Sequence, residues 1–189
     1  MQLQRVNYKQ EILEIDKNRT IYLDEAGIKL GASRTYAYSD INTRAYASDT
    51  ETSQHITLIA GLTLKGIVAP MTLDDYVDED AFVAYIKFVL LPILGAGYTL
   101  IMDNLSSHKS QTVIDLILSK GANLLFLPPY SPDLSPIELA WSKIKAIIRD
   151  HSPLSRDSLD EAFSLAIDSI SSTDSANYFS HCFKCLSSI

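Results

Sequence analysis

The chain has 189 residues, 47% of them apolar, and a formal net charge of −7. That length fits one domain with a core of its own, and the acidic balance excludes a chain that grips nucleic acid by charge alone. The longest apolar run, Phe88 to Leu94, is too short to cross a bilayer and contains Pro92, while the opening MQLQRVNYKQEILEID is too polar for a signal peptide. A cytoplasmic location away from membranes is expected. Cys182 and Cys185 read as reduced thiols; with His181 they spell half of a zinc site for which no second cysteine pair exists.

In chain order, residues 1–19 mix charged and apolar positions, with Val6, Ile12, Leu13 and Ile15 at loose helical spacing. They read as a helix or linker ahead of one domain spanning 20–189. Thr20 to Leu23 is an apolar strand ending in Asp24, after which Glu25-Ala26-Gly27 is expected to turn the chain into a second strand from Ile28 to about Tyr38. Successive strand side chains face opposite ways, so only one of Asp24 and Glu25 can face a site. Residues 39–53 read as a Ser/Thr/Asp-rich loop in which acids offset Arg44. A hairpin follows, His55 to Leu64 and Ile67 to Met71 about a Lys65-Gly66 turn. Asp78 to Asp80 then cap a helix whose apolar face is expected to be Phe82, Tyr85, Phe88 and Val89, ending near Pro92.

The stretch from Thr99 to Arg149 carries the chemistry. TLIM is a buried parallel strand that delivers Asp103 at its C-terminal edge, where open α/β sheets place ligands. A helix with Val113, Ile114, Ile117 and Leu118 follows and stops at Gly121; Asn123 to Leu127 is the next strand, and a further helix starts at Ser135-Pro136. Ser135-x-x-Glu138 is by itself a capping box. The alternative reading pairs Glu138 with Asp103, since the 34 residues between them hold one crossover helix and one strand. With Asp24, these acids make an all-oxygen site suited to Mg²⁺ or Mn²⁺, and the three should repel one another while no cation is bound. Two such ions can activate the attacking and leaving oxygens of a phosphodiester displacement without a protein nucleophile. Asn104 is the expected hydrogen-bonding partner of Asp103. On the last of these helices Ile137, Ala140, Trp141, Ile144 and Ile148 form the buried face, while Ser142, Lys145 and Arg149 continue the stripe of Glu138, either as a track along a DNA backbone or as a solvated face. Ser158 to Ile170 is one more amphipathic helix.

The strings YLDEAG, IMDNLSSHK, LLFLPPYSPDLSPIELAWSKIK and NYFSHC resemble the catalytic domain of the insertion-sequence 630 and Tc1/mariner transposases, over about Thr20 to Cys182. The resemblance implies an α/β, RNase H-like fold with a mixed five-stranded sheet and helices on both faces. It implies metal-dependent DNA cleavage and strand transfer in transposition, with Asp24, Asp103 and Glu138 as a D…D-34-E triad holding two Mg²⁺ or Mn²⁺ ions. His108 and Lys109 would position phosphate, alongside Ser142, Lys145 and Arg149. The implied partners are DNA (transposon ends and target), a separate or missing helix-turn-helix half that supplies most of the affinity, and a second copy in a homodimer. The same residues also admit another RNase H-like nuclease, or a catalytically idle remnant acting through protein contacts.

Overall fold

Period-two alternation builds a single mixed sheet from β1 (Thr20–Lys29), β2 (His55–Thr63), β3 (Gly66–Asp74), β4 (Thr99–Met102) and β5 (Asn123–Phe126). This is a computed structural model; it describes residues 2–31, 39–44, 54–105 and 107–187. The strand order is β3-β2-β1-β4-β5, with the β1–β2 and β2–β3 pairs antiparallel and the β1–β4 and β4–β5 pairs parallel.

Helices cover both faces. On one side lie α1 (Gln2–Glu14), α4 (Pro136–His151), α5 (Arg156–Asp168) and α6 (Ser172–Ser187), packed on Tyr22, Ala26, Ile28 and Ile101. On the other lie α2 (Glu79–Tyr85), its π-helical continuation Ile86–Leu90 and α3 (Gln111–Ser119), packed on Ile21, Leu23, Leu100 and Met102. Burial of these apolar side chains is the main stabilising term. Tyr8 and Ile12 of α1 lie in the same core as α4 and α6, so residues 2–14 pack on the domain.

Two expectations change. Glu25-Ala26-Gly27 does not turn: β1 runs unbroken to Lys29 and pairs with β2 along the way. Gly27 is small for another reason, since a Cβ there would come within 2.5 Å of the His55 ring on the neighbouring strand. The expected strand beyond Gly31 falls on 32–38, which lies outside the described residues, as does most of the 39–53 loop. Second, Phe88 is 68% exposed, and Ile86 and Leu90 take its place in the core. The wider π turn, closed by Leu91 N–H to the Ile86 carbonyl, rotates the apolar face away from Phe88. Among the described residues no helix is long and apolar enough to cross a membrane.

Candidate active site

Strand parity decides what reaches the site. Asp24 shares its face of β1 with Tyr22 and Ala26, and Asp103, directly after β4, shares its face with Ile101; both therefore point to the side covered by α4. Glu25 shares its face with Leu23 and points to the α2 side. Glu138 stands in the first turn of α4. Asp24, Asp103 and Glu138 line one cavity of about 650 Å³, together with Pro128, Pro129 and Tyr130.

Each acid is held differently. Asp24 Oδ2 accepts a hydrogen bond from Trp141 Nε1–H at 3.1 Å. Burial nonetheless pushes the Asp24 carboxyl up to about 7, with the charges of Glu138 and Asp103 adding to the rise and hydrogen bonds from the Glu25 backbone and Trp141 opposing it. At Asp103 burial also acts upward, but the hydrogen bond from His108, the Leu105 N–H and the charges of His108 and Lys109 prevail and hold it below the usual carboxylate range. Oδ1 of Asp103 takes both bonds, from His108 Nδ1 at 2.6 Å and from the Leu105 N–H at 3.1 Å.

Glu138 is exposed, and Ser135 makes no side-chain cap bond, so the capping box is absent. The hydrogen bonds that form a capping box are instead made by Ser155 and Ser158 at α5. Among the described residues no three His, Cys, Asp or Glu side chains stand close enough to hold a metal ion as placed. The donor set still fits one: three carboxylates share a cavity, and the cost of holding Asp24 desolvated beside Glu138 and Asp103 is one that a cation offsets.

His108 is not a phosphate contact. It is fully buried, stacked on Phe82 at 4.3 Å between ring centroids, and its Nε2–H reaches Glu25 Oε1 at 3.3 Å. Burial lowers its pKa, yet the bonds to Asp103 and Glu25 outweigh this and raise it to about 9, so the imidazole is a cation at neutral pH. Asn104 does not orient Asp103 either; its amide donates to the Leu127 carbonyl at 2.7 Å and ties the ends of β4 and β5 together. Lys109 is exposed and lines the cavity. Ser142 and Arg149 are exposed and Lys145 is half-buried on α4, away from the cavity lining.

Two participants escaped the sequence reading. Trp141 is core, as its spacing says, but its N–H also needs an acceptor, and a buried indole one turn beyond Glu138 finds it in Asp24. Glu25 faces away from the cavity, on the opposite side of β1 from Asp24, and is connected to the site through the buried His108. Tyr130 is 91% exposed at the cavity mouth, in a left-handed backbone conformation with φ of 54°. Arg5 of α1 braces this loop, donating to Ser131 Oγ at 2.9 Å and pairing with Asp133.

A family model described as DDE superfamily endonuclease matches residues 19–160. The Tcb1 transposase of a transposable element of Caenorhabditis briggsae is 35% identical over 82 residues, which cover 43% of this chain and 29% of that protein. Among solved structures, the Mos1 transposase paired-end complex with left transposon end aligns with a TM-score of 0.79 at 16% identity, over 97% of this chain and 59% of that one. The Mos1 catalytic domain with Raltegravir, solved with Mg and with Mn, aligns at 0.74 and 14% identity over 98% and 92%. The chain thus spans about 60% of the Mos1 chain in the DNA complex, and the two share an RNase H-like fold.

Proposed function

The chain belongs to the DDE superfamily endonucleases, and from that premise we propose that it is a catalytic domain of the Tc1/mariner type that cleaves and rejoins DNA strands at the cavity formed by Asp24, Asp103 and Glu138. The observation that carries this reading is the meeting of three acids from β1, the end of β4 and the start of α4 around one cavity. Nothing in a purely structural role calls for them to stand together. Divalent cations held by these carboxylates would supply Lewis-acid activation of an attacking water or DNA 3′-hydroxyl and of the leaving oxygen.

The chain's own residues do the rest. Trp141 restrains Asp24 from the α4 side. Pro128, Pro129 and the adjoining Tyr130 help to line the same cavity. Lys109, exposed at the same cavity, meets the phosphate that carries the reacting bond. Ser142, Lys145 and Arg149 extend from there along α4 as a shallow backbone track. With a net charge of −7, this face binds DNA weakly and without sequence preference, and recognition of element ends falls to a helix-turn-helix half elsewhere, with a second copy of the chain pairing the ends.

The test is nicking of supercoiled DNA with Mn²⁺ by wild type and by Asp24→Ala, Asp103→Ala and Glu138→Ala. Each variant should lose activity at least 100-fold while keeping its circular dichroism. Full activity in a folded Glu138→Ala protein would remove Glu138 from the site.

A further inference from the structure

We propose that Glu25 and His108 form a positioning pair for Asp103, fixing which of its oxygens faces the cavity and so setting the affinity of the site for a divalent cation. The inference rests on the reading of Asp103 as a metal ligand.

The geometry is specific. His108 follows Asp103 by five residues, in the 3₁₀ turn Ser107–Lys109, and folds back under the sheet edge, where Phe82 of α2 covers one face of its ring. Both ring nitrogens are committed to carboxylates: Nδ1–H to Asp103 and Nε2–H to Glu25. A neutral buried imidazole needs one acceptor and one donor; two acids as partners are a costly choice unless the ring is charged and immovable. The consequence falls on Asp103. Its Oδ1 accepts from both His108 and the Leu105 N–H, while Oδ2 has no hydrogen bond among the described residues and the side chain borders the cavity. Asp103 is thereby set to offer one oxygen. Glu25 does not line the cavity, so it acts only through His108, anchoring the far side of the ring. Outer partners of this kind hold metal-ligating groups in orientation and shift metal affinity by about 10–100-fold when removed.

Two substitutions separate positioning from packing. The amide nitrogen of His108→Asn falls near Nδ1 and keeps the bond to Asp103; that of His108→Gln falls near Nε2 and keeps only the bond to Glu25. Mn²⁺ binding to the full chain, titrated by calorimetry and by the paramagnetic resonance of free Mn²⁺, should weaken less than about 3-fold in His108→Asn and about 10-fold or more in His108→Gln. Glu25→Gln, which keeps volume and strand register, should weaken binding about 3-fold, and metal-free melting curves establish that each variant is folded. Equal Mn²⁺ affinities for His108→Asn and His108→Gln, or wild-type affinity in Glu25→Gln, overturn the inference; the Glu25→Gln arm decides it if neither His108 variant folds. Asp103→Asn is the control on the underlying reading. If it binds Mn²⁺ as wild type does, Asp103 is no ligand and the pair has nothing to position. If it loses binding while His108→Gln does not, the active-site reading stands and the positioning pair alone falls.

Discussion

Asp24 and Asp103 lie on adjacent parallel strands, face the same cavity and carry the same functional group, yet their surroundings push them in opposite directions. On the β1 side a neutral indole N–H is the side-chain donor to Asp24, and burial raises the carboxyl to about 7. On the β4 side a buried histidine, itself raised to about 9 and backed by Glu25, holds Asp103 low. The difference teaches that a site rich in acids does not spread its repulsion evenly. One acid is neutralised by the protein and the other is left for a cation, so destabilisation is stored at Asp24. The mutual repulsion expected of the three acids falls mainly on one of them.

The asymmetry can be broken from either side, and the largest effect is expected at Asp24. A carboxyl whose folded pKa is raised loses stability as pH climbs from about 4 to about 7, because the fold must then hold a charge that the unfolded chain hydrates. A rise from 3.8 to about 7 is worth at most about 4 kcal/mol. Asp24 keeps some solvent exposure, which cuts this to about 2 kcal/mol. Asp24→Asn should therefore raise the metal-free melting temperature at pH 8 by roughly 4–8 °C, with the gain vanishing at pH 4. Thermal scans across that pH range measure it, and activity should be lost in the same variant.

Asp103→Asn should do the reverse. It replaces the ion pair with His108 by a bond between a cation and a neutral amide oxygen and leaves the buried imidazolium with Glu25 as its remaining carboxylate partner, costing about 1.5 kcal/mol at pH 7. Because the folded pKa of Asp103 is lowered and that of His108 raised, the loss should hold across neutral pH. It should fade as acid protonates Asp103 in the wild type, or as alkali above about 9 discharges His108. Denaturant midpoints at pH 3, 7 and 10 test the sign. A more stable Asp103→Asn protein at pH 7 would erase the contrast.

Divalent metal sharpens the comparison. Mg²⁺ or Mn²⁺ at ten times its Kd should stabilise the wild type by about 1.4 kcal/mol. Because Asp24 must give up its proton to bind, affinity should rise about tenfold between pH 6 and pH 8. Asp24→Asn should show neither the shift nor its pH dependence, and calorimetric titration at the two pH values reads both.

The smallest effect belongs to the indole. Trp141→Phe keeps most of the packing but removes the donor to Asp24. It should therefore cost about 1 kcal/mol more at pH 8, where the carboxylate is ionised, than at pH 5, where it is not. Equal losses at the two pH values would show that Trp141 only fills space.

Much of the architecture is legible in the chain because it is local. Periodicity marks the strands from His55 to Met71 and the one ending at Asp103. The buried stripe Ile137, Ala140, Trp141, Ile144 and Ile148 appears on α4 position for position. Gly121, at φ of 69°, closes α3 as its place in the sequence implies. Of the three acids of the cavity, Asp103 follows the end of β4 and Glu138 opens α4, whereas Asp24 sits inside β1 and reaches the cavity by strand parity. What local pattern cannot supply is which partner wins when several are in reach. The Glu25-Ala26-Gly27 string reads as a turn, but the long ladder to β2 outweighs it. Phe88 reads as core, but a π turn, invisible in periodicity, moves it out. His108 and Asn104 lie in one loop with interchangeable local readings, and only the stacking of Phe82 and the placement of Glu25 on the far face of β1 draw the histidine inward and leave the asparagine to bond Leu127. Sequence determined which acids this protein brings to its cavity, because that depends on strand parity and spacing along the chain. Tertiary structure alone decided which of them is charged, because desolvation and counter-charge depend on residues 83 and 117 positions away, from His108 to Glu25 and from Trp141 to Asp24.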